Sequence, residues 1–373
     1  MSTAENRVVP ELFDGERLRQ ARVYRGLKKV DVAQALGVSA AAIGQYERGK
    51  ARPSGTVFAS ISLHLGFPTQ FFEKRNRSSE VVSRDAHFRM KVATSKLDRD
   101  QAIVRLEFLA DILSAVEKRV ELPEVNMPEH PVIDRTSRLE IEAAAAEVRL
   151  AWGIVSGPID NVVRLLEGHG TVVIRPAVDS NDVDAFSTWI ADRPVVILGS
   201  DKDDAARSRF DAAHELGHLV MHHDADPGER TVERQANQFA GAFLMPAETI
   251  KREFPKRMNW STFFDLKLRW HVSLQALLYR AKELEVLSPD SYQRAQVNLS
   301  KRGWKVHEPI DIGTPEEPTL LRRSVEVFQS HLNVDDASIA SECLLPESIF
   351  QSLIRGGVPK GLNKPRVEIA SSI

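Results

Sequence analysis

The thirteen residues "AAHELGHLVMHHD" (212–224) hold four histidines, a glutamate and an aspartate. On a helix, His214 and His218 are separated by about 6 Å along the axis and about 40° around it. Both imidazoles can therefore reach one ion at the roughly 2.0–2.1 Å that zinc prefers. Glu215 lies between them, able to address a water on that ion without being a ligand. This is the H-E-x-x-H arrangement. Its chemistry is metal-assisted hydrolysis: the ion acidifies a water and polarises a carbonyl, and the carboxylate carries the proton to the leaving group. A five-residue pattern also arises by chance as a solvated histidine pair, so a third ligand is needed.

His222 is an awkward third ligand. On a continuous helix it stands about 12 Å along the axis from His214, and "LVM" offers no Gly or Pro to break the helix. It is expected behind the ligands or on the substrate side, with a surface histidine as the alternative. His223 and Asp224 read as helix-end polar residues. Downstream, "ERQANQFAGAFLMP" opens a second helix near Glu233, with Asn237 one turn later. Packed antiparallel to the first, it would bring Glu233 to the remaining position and complete a two-His-one-Glu catalytic zinc site with one open corner. Asn237 would then hydrogen-bond a ligating histidine. An ordinary surface carboxylate is the alternative for Glu233. His222, His271 and Tyr279 are candidates to stabilise an oxyanion, and spacing does not choose among them.

The elements that must position these groups are mostly helical. "TVVI" (171–174), "AFSTWI" (185–190) and "PVVIL" (194–198) are short, rich in β-branched or aromatic residues and bounded by turns, so they read as a small sheet. "AFSTWI" can be an edge strand that pairs with an extended peptide; core packing is the main task expected of Phe186 and Trp189. "RDQAIVRLEFLADILSAVEKRVEL" carries apolar residues at helical spacing, whereas "PEVNMPEHPVID", with three prolines, reads as a linker. The expected class is α+β, mostly helical. The expected units are a helix-turn-helix bundle (11–75), a helical linker region (76–156), a metallopeptidase domain with a small sheet (157–290) and a mixed C-terminal region (291–373).

A length of 373 residues suits two or three domains. No run approaches the roughly 20 apolar residues of a membrane span, and the N-terminus lacks the apolar core of a signal peptide. One cysteine, Cys343, excludes an internal disulfide. A cytoplasmic setting is expected. The overall charge of −2 conceals a basic module: residues 15–65 hold nine Lys/Arg against three acids. Short helices there are punctuated by Gly26, Gly37 and the N-cap Ser39, and "VDVAQALGVSAAAIGQYERGKARPS" resembles the Cro/repressor-type helix-turn-helix, which implies a helix entering a major groove. Arg25, Lys28, Lys29, Arg48 and Lys50 would meet phosphates. Ser39, Ala40 and Gln45 would face base edges, a thin reading set because alanine offers only apolar contact. DNA is thus an expected partner with weak sequence specificity or dependence on a homodimer, and protein binding by this module is the competing reading.

"RFDAAHELGHLVMHH" followed by "ERQANQFAGAFLMP" resembles the ImmA/IrrE family of zinc metallopeptidases, over roughly a third of the chain. The resemblance implies a gluzincin-like fold, Zn2+ held by His214, His218 and Glu233, and Glu215 as base. It also implies a repressor-like protein substrate, cut in a stress or mobile-element response; other members of that family look like regulators that cut nothing. The resemblance to the Cro/repressor-type helix-turn-helix breaks at Lys29, where a glutamine is common. "HFRMKVATSK" (87–96) resembles a segment found between two such modules. The function expected is a zinc endopeptidase fused to a helix-turn-helix. The alternative is a DNA-binding regulator or antitoxin-like protein whose peptidase-like domain senses without cutting.

Overall fold

A computed structural model describes residues 13–73, 96–175, 185–199, 204–222 and 229–355. His223, Asp224 and all but the last residue of "HFRMKVATSK" lie outside them. Sixteen α-helices and one three-stranded sheet are present among the described residues.

Four helices and a 3-10 turn (Thr69–Phe72) build the N-terminal module: α1 (Gly15–Tyr24), α2 (Lys29–Leu36), α3 (Ala40–Glu47) and α4 (Gly55–Leu65). Ser39 caps α3, its Oγ accepting from the Ala42 N–H at 3.1 Å. Gly37 supplies the left-handed turn before it, with φ of 65°. Glu47 at the end of α3 accepts from Arg22 on α1 at 2.5 Å and pairs with Lys29 on α2 at 3.1 Å. The two ends of the module meet, the Asp14 N–H donating to the Phe72 carbonyl.

The next helix, α5 (Lys96–Glu117), belongs to the same core as this module. Phe108 sits in a nest of rings, 5.4 Å from Tyr24 and 5.8 Å from both Phe67 and Phe71. Burying a phenylalanine contributes roughly 1.5–3 kcal/mol, so α5 is a wall of the module and not a spacer beyond it.

The stretch 123–134, expected as a linker, is a bonded strap. Asn126 and the Trp152 indole hold it at one end: Asn126 N–H donates to the His169 carbonyl and Trp152 Nε1 to the Asn126 carbonyl. At the other end His130 and Val132 donate to the Val220 and Met221 carbonyls. Prolines stopped helix formation here, as expected, but the residues between them keep their N–H groups and use them on a neighbour.

Helices α6 (Arg138–Ala151) and α7 (Val162–Gly168) lead into β1 (Val172–Ile174), β2 (Phe186–Ile190) and β3 (Arg193–Ile197). The order is β1-β3-β2, with β1 parallel and β2 antiparallel to β3. The sheet separates two cores. Val172, Ile174, Phe186, Ile190 and Val195 face the N-terminal side, while Val173 and Val196 face the other. Because side chains alternate along a strand, Ser187 and Trp189 turn to that second side.

There stand α8 (Ala205–Met221) and α9 (Arg230–Leu244), followed by α10 (Ala247–Glu253), α11 (Trp260–Trp270), α12 (Leu274–Glu283) and α13 (Pro289–Lys301). Helix α6 packs against α9 and shares this core. Two buried arginines hold the end of α9: Arg149 donates to the Phe243 carbonyl at 2.7 Å and Arg280 to the Met245 carbonyl at 3.0 Å. A cation at a helix C-terminus answers its unsatisfied carbonyls.

The C-terminal helices α14 (Leu320–Leu332), α15 (Asp336–Glu342) and α16 (Glu347–Arg355) pack on α5, and α14 also on β1. Glu316 caps α7 through the Val163 N–H and pairs with the buried Arg209 of α8; in return Glu167 of α7 accepts from the Thr319 and Leu320 N–H groups at the start of α14. The single cysteine is buried in this region, its thiol pushed up to about 12 by burial, which makes it inert. No described helix is long and apolar enough to cross a membrane.

Candidate metal centre

Helix α8 carries His214, Glu215 and His218, and α9 carries Glu233 and Asn237. The contacts run in opposite order along the two helices, His214 to Asn237 and His218 to Glu233, so the pair is antiparallel. Close approach depends on Gly217. A Cβ there would stand only 3.1 Å from Phe239 Cδ1 and 3.2 Å from Phe239 Cβ.

The donor atoms converge. His214 Nε2 and His218 Nε2 are 3.0 Å apart. Glu233 offers Oε2 at 3.5 Å from the first and Oε1 at 3.8 Å from the second. All three ligand atoms lie within 4.8 Å of one another. Neutral imidazole nitrogens facing each other with a carboxylate beside them are an unfavourable group alone, and a divalent cation between them satisfies all three. Two nitrogens and one oxygen are the donor set of catalytic zinc. Among the described residues these elements fit the ion that the motif implies.

Each histidine is held from behind. Asn237 Oδ1 stands 3.1 Å from His214 Nδ1. His222, the C-cap of α8, is buried, and its ring turns back so that Nδ1 lies 3.1 Å from His218 Nδ1. It therefore sits behind a ligand and not in the ligand set. Its Nε2 faces Gln235 Oε1 at 3.1 Å.

Glu215 is buried, and Ser187 Oγ donates to its Oε2 at 2.8 Å. Burial pushes this carboxyl above the usual carboxylate range, against the opposing pull of His214 and the Ser187 hydroxyl. The strand that carries Ser187 is an edge strand among the described residues, since β2 pairs only with β3.

The two other oxyanion candidates have neighbours of their own. Tyr279, an oxyanion candidate, has Lys282 over its ring at 5.9 Å and is influenced by Glu283, Tyr292 and Arg234, the last adjacent in sequence to Glu233. His271 ends α11 with φ of 52° and is influenced by Arg209, Glu316 and Asp160. Ser187 and Gln235 were not anticipated. Strand alternation could have singled out Ser187 as facing α8, whereas nothing local marks Gln235.

At the N-terminal module, Ser39, Ala40, Ala41, Gln45 and Lys50 are exposed, leaving the start and outer face of α3 open to a groove. Lys28 and Arg48 are exposed as well, and Lys29 leans on Glu47. Arg25 is exposed too, and it is bonded within the module. Its Nε donates to the Leu65 carbonyl at 2.8 Å, and its guanidinium lies over Phe67 at 5.5 Å. It closes α4 from an exposed position.

Comparison with known proteins matches both units. Residues 166–282 match the IrrE N-terminal-like domain of the peptidase M78 family, and residues 15–70 match a helix-turn-helix domain. The chain carries both domains. It is also similar to the SPbeta prophage-derived uncharacterized HTH-type transcriptional regulator YonR of Bacillus subtilis (strain 168), at 37% identity over 60 residues. That similarity covers 16% of this chain and 56% of the relative.

Proposed function

We propose that this chain is a DNA-binding regulator whose IrrE-like domain is a zinc-dependent endopeptidase acting on a repressor-like regulatory protein. The observation that carries the reading is the convergence of His214, His218 and Glu233 with Glu215 alongside. A zinc ion held there would supply Lewis acidity, polarising a scissile carbonyl and lowering the pKa of a water. Glu215 takes the proton from the attacking water and delivers it to the leaving amine. Ser187 holds one oxygen of Glu215 in place and leaves the other to work. The outer edge of β2 is placed to receive an extended peptide as an added strand. The N-terminal module, through Ser39, Ala40, Gln45, Arg48, Lys28, Lys29 and Lys50, holds the protein on DNA. The likeness to a prophage-derived regulator supports a mobile-element setting, and a homodimer would match a two-fold operator.

A second reading, a sensor that cuts nothing, draws support from the deep burial of Glu215. The two separate on one experiment. Repressor proteins encoded by neighbouring genes are incubated with zinc-loaded wild type, Glu215→Gln and Glu233→Ala. Loss of the base is expected to slow cleavage by about 10²–10⁴-fold with zinc content unchanged, while Glu233→Ala lowers zinc content by mass spectrometry. Equal cutting by wild type and Glu215→Gln refutes the mechanism. Failure of wild type to cut, with DNA binding intact, selects the sensor.

A further inference from the structure

Gln235 is buried, and its Nε2 donates to the Ile133 carbonyl at 2.9 Å. That bond sets which way the amide faces, because only its nitrogen end can donate to a carbonyl. Its oxygen is therefore the atom that meets His222 Nε2 at 3.1 Å. An amide oxygen only accepts, so His222 Nε2 carries a hydrogen. A neutral His222 then presents Nδ1 as a lone pair, and that atom faces His218 Nδ1 at 3.1 Å. His218 must donate from Nδ1, which leaves its Nε2 bare and aimed at His214 Nε2 and Glu233.

We propose that His222 and Gln235 are positioning residues, forming with the Ile133 carbonyl a relay that selects the metal-binding tautomer and ring orientation of His218. The relay rests on the metal-site reading above. It ends on the strap, and the strap is itself fixed to the end of α8 by the His130 and Val132 N–H groups. The segment that leaves α5 thus bears on a metal ligand through one carbonyl oxygen. The two ligating histidines differ in this respect. His214 is held in one step by Asn237, an exposed residue, whereas His218 is held through two buried side chains to backbone.

The test combines zinc affinity, measured by chelator competition, with nitrogen NMR of the full chain labelled at histidine. His222→Phe keeps a ring but offers no acceptor, and Gln235→Leu releases His222 to either tautomer. Each is expected to weaken zinc binding by about 10–100-fold, the usual effect of losing a partner behind a ligand. His222→Asn keeps an oxygen where Nδ1 stands and is expected to stay within about threefold of wild type. In the zinc-free wild type, long-range proton–nitrogen couplings are expected to show hydrogen on Nδ1 of His218 and on Nε2 of His222. Wild-type affinity in a folded His222→Phe overturns the relay. So does equal loss in the Phe and Asn variants, which would mean packing alone. The reverse tautomers overturn it without any variant, so misfolding cannot shield it. If wild type binds zinc no better than His214→Ala/His218→Ala, the metal-site reading itself fails, and the relay loses its purpose with it.

Discussion

Glu107 on α5 faces α1, and protonation should tighten that contact. Burial raises its pKa to about 7, with Glu16 pushing the same way and Arg19, Gln20 and Arg17 pulling down. One carboxylate oxygen, Oε2, has no hydrogen-bond partner, and the nearest cation contact, Arg19 Nη2, is 3.6 Å away. The unfolded value is 4.5. Between about pH 4.5 and 7 the folded chain holds a proton that the unfolded chain has released, so this group's favourable contribution is present at low pH and is lost as pH rises through 7. At about 1.36 kcal/mol per unit the difference reaches an upper bound of about 3 kcal/mol at pH 8, and under about 1 kcal/mol at pH 5. Glu107→Gln mimics the protonated form. Hydrogen exchange of α1 and α5 amides, corrected for intrinsic rates, should show about tenfold or more added protection in the variant at pH 8, shrinking toward pH 5. A protection difference that does not change over this range would refute the burial argument.

Other perturbations separate the roles of neighbouring groups. Gly15→Ala places a Cβ 2.0 Å from the Tyr46 carbonyl oxygen, so α1 and α3 must part at a cost of at least about 1–3 kcal/mol; DNA binding measured by anisotropy should fall while zinc affinity holds, and an unaltered melt would disprove the contact. Arg25→Ala should lower the module's stability by about 0.5–1.5 kcal/mol, the net value of a hydrogen bond made from an exposed position, yet leave the salt slope of DNA binding unchanged, because its guanidinium is bonded to the Leu65 carbonyl. Lys50→Ala should reduce that slope by about 1; a change in slope for Arg25 instead would reverse the assignment. Gly217→Ala should weaken zinc binding although every ligand remains, because the new methyl group presses α8 from α9 at Phe239; tighter binding in a competition assay would refute this.

The local rules of helix and strand were legible before any coordinates. The 3.6-residue repeat places His214 and His218 on one face, and the Ser39 hydroxyl and the turn at Gly37 follow from chemistry within a few residues. The prolines at 123, 128 and 131 exclude a helix without excluding bonds to α8, and that second fact depended on which carbonyls α8 left unanswered. Arg25 looked like its basic neighbours, since charge is visible in a sequence and hydrogen-bond partners are not. Its aliphatic stem and planar head suit the space over Phe67, which exists only once α1 and α4 pack.

What the chain determined by itself is the set of local patterns: which segments coil, where they start, and that two imidazoles and one carboxylate lie within a turn of a helix. Tertiary structure decided which distant groups complete them. Glu233 arrives because α9 runs antiparallel to α8, Ser187 because the strand pleat turns it toward Glu215, and Gln235 because a strap 102 residues away in sequence offers one carbonyl. Hydrogen bonds and metal ligation act over about 3 Å, whereas sequence order constrains distance only within a few residues. Contacts of that range between remote segments therefore exist only after the cores have packed.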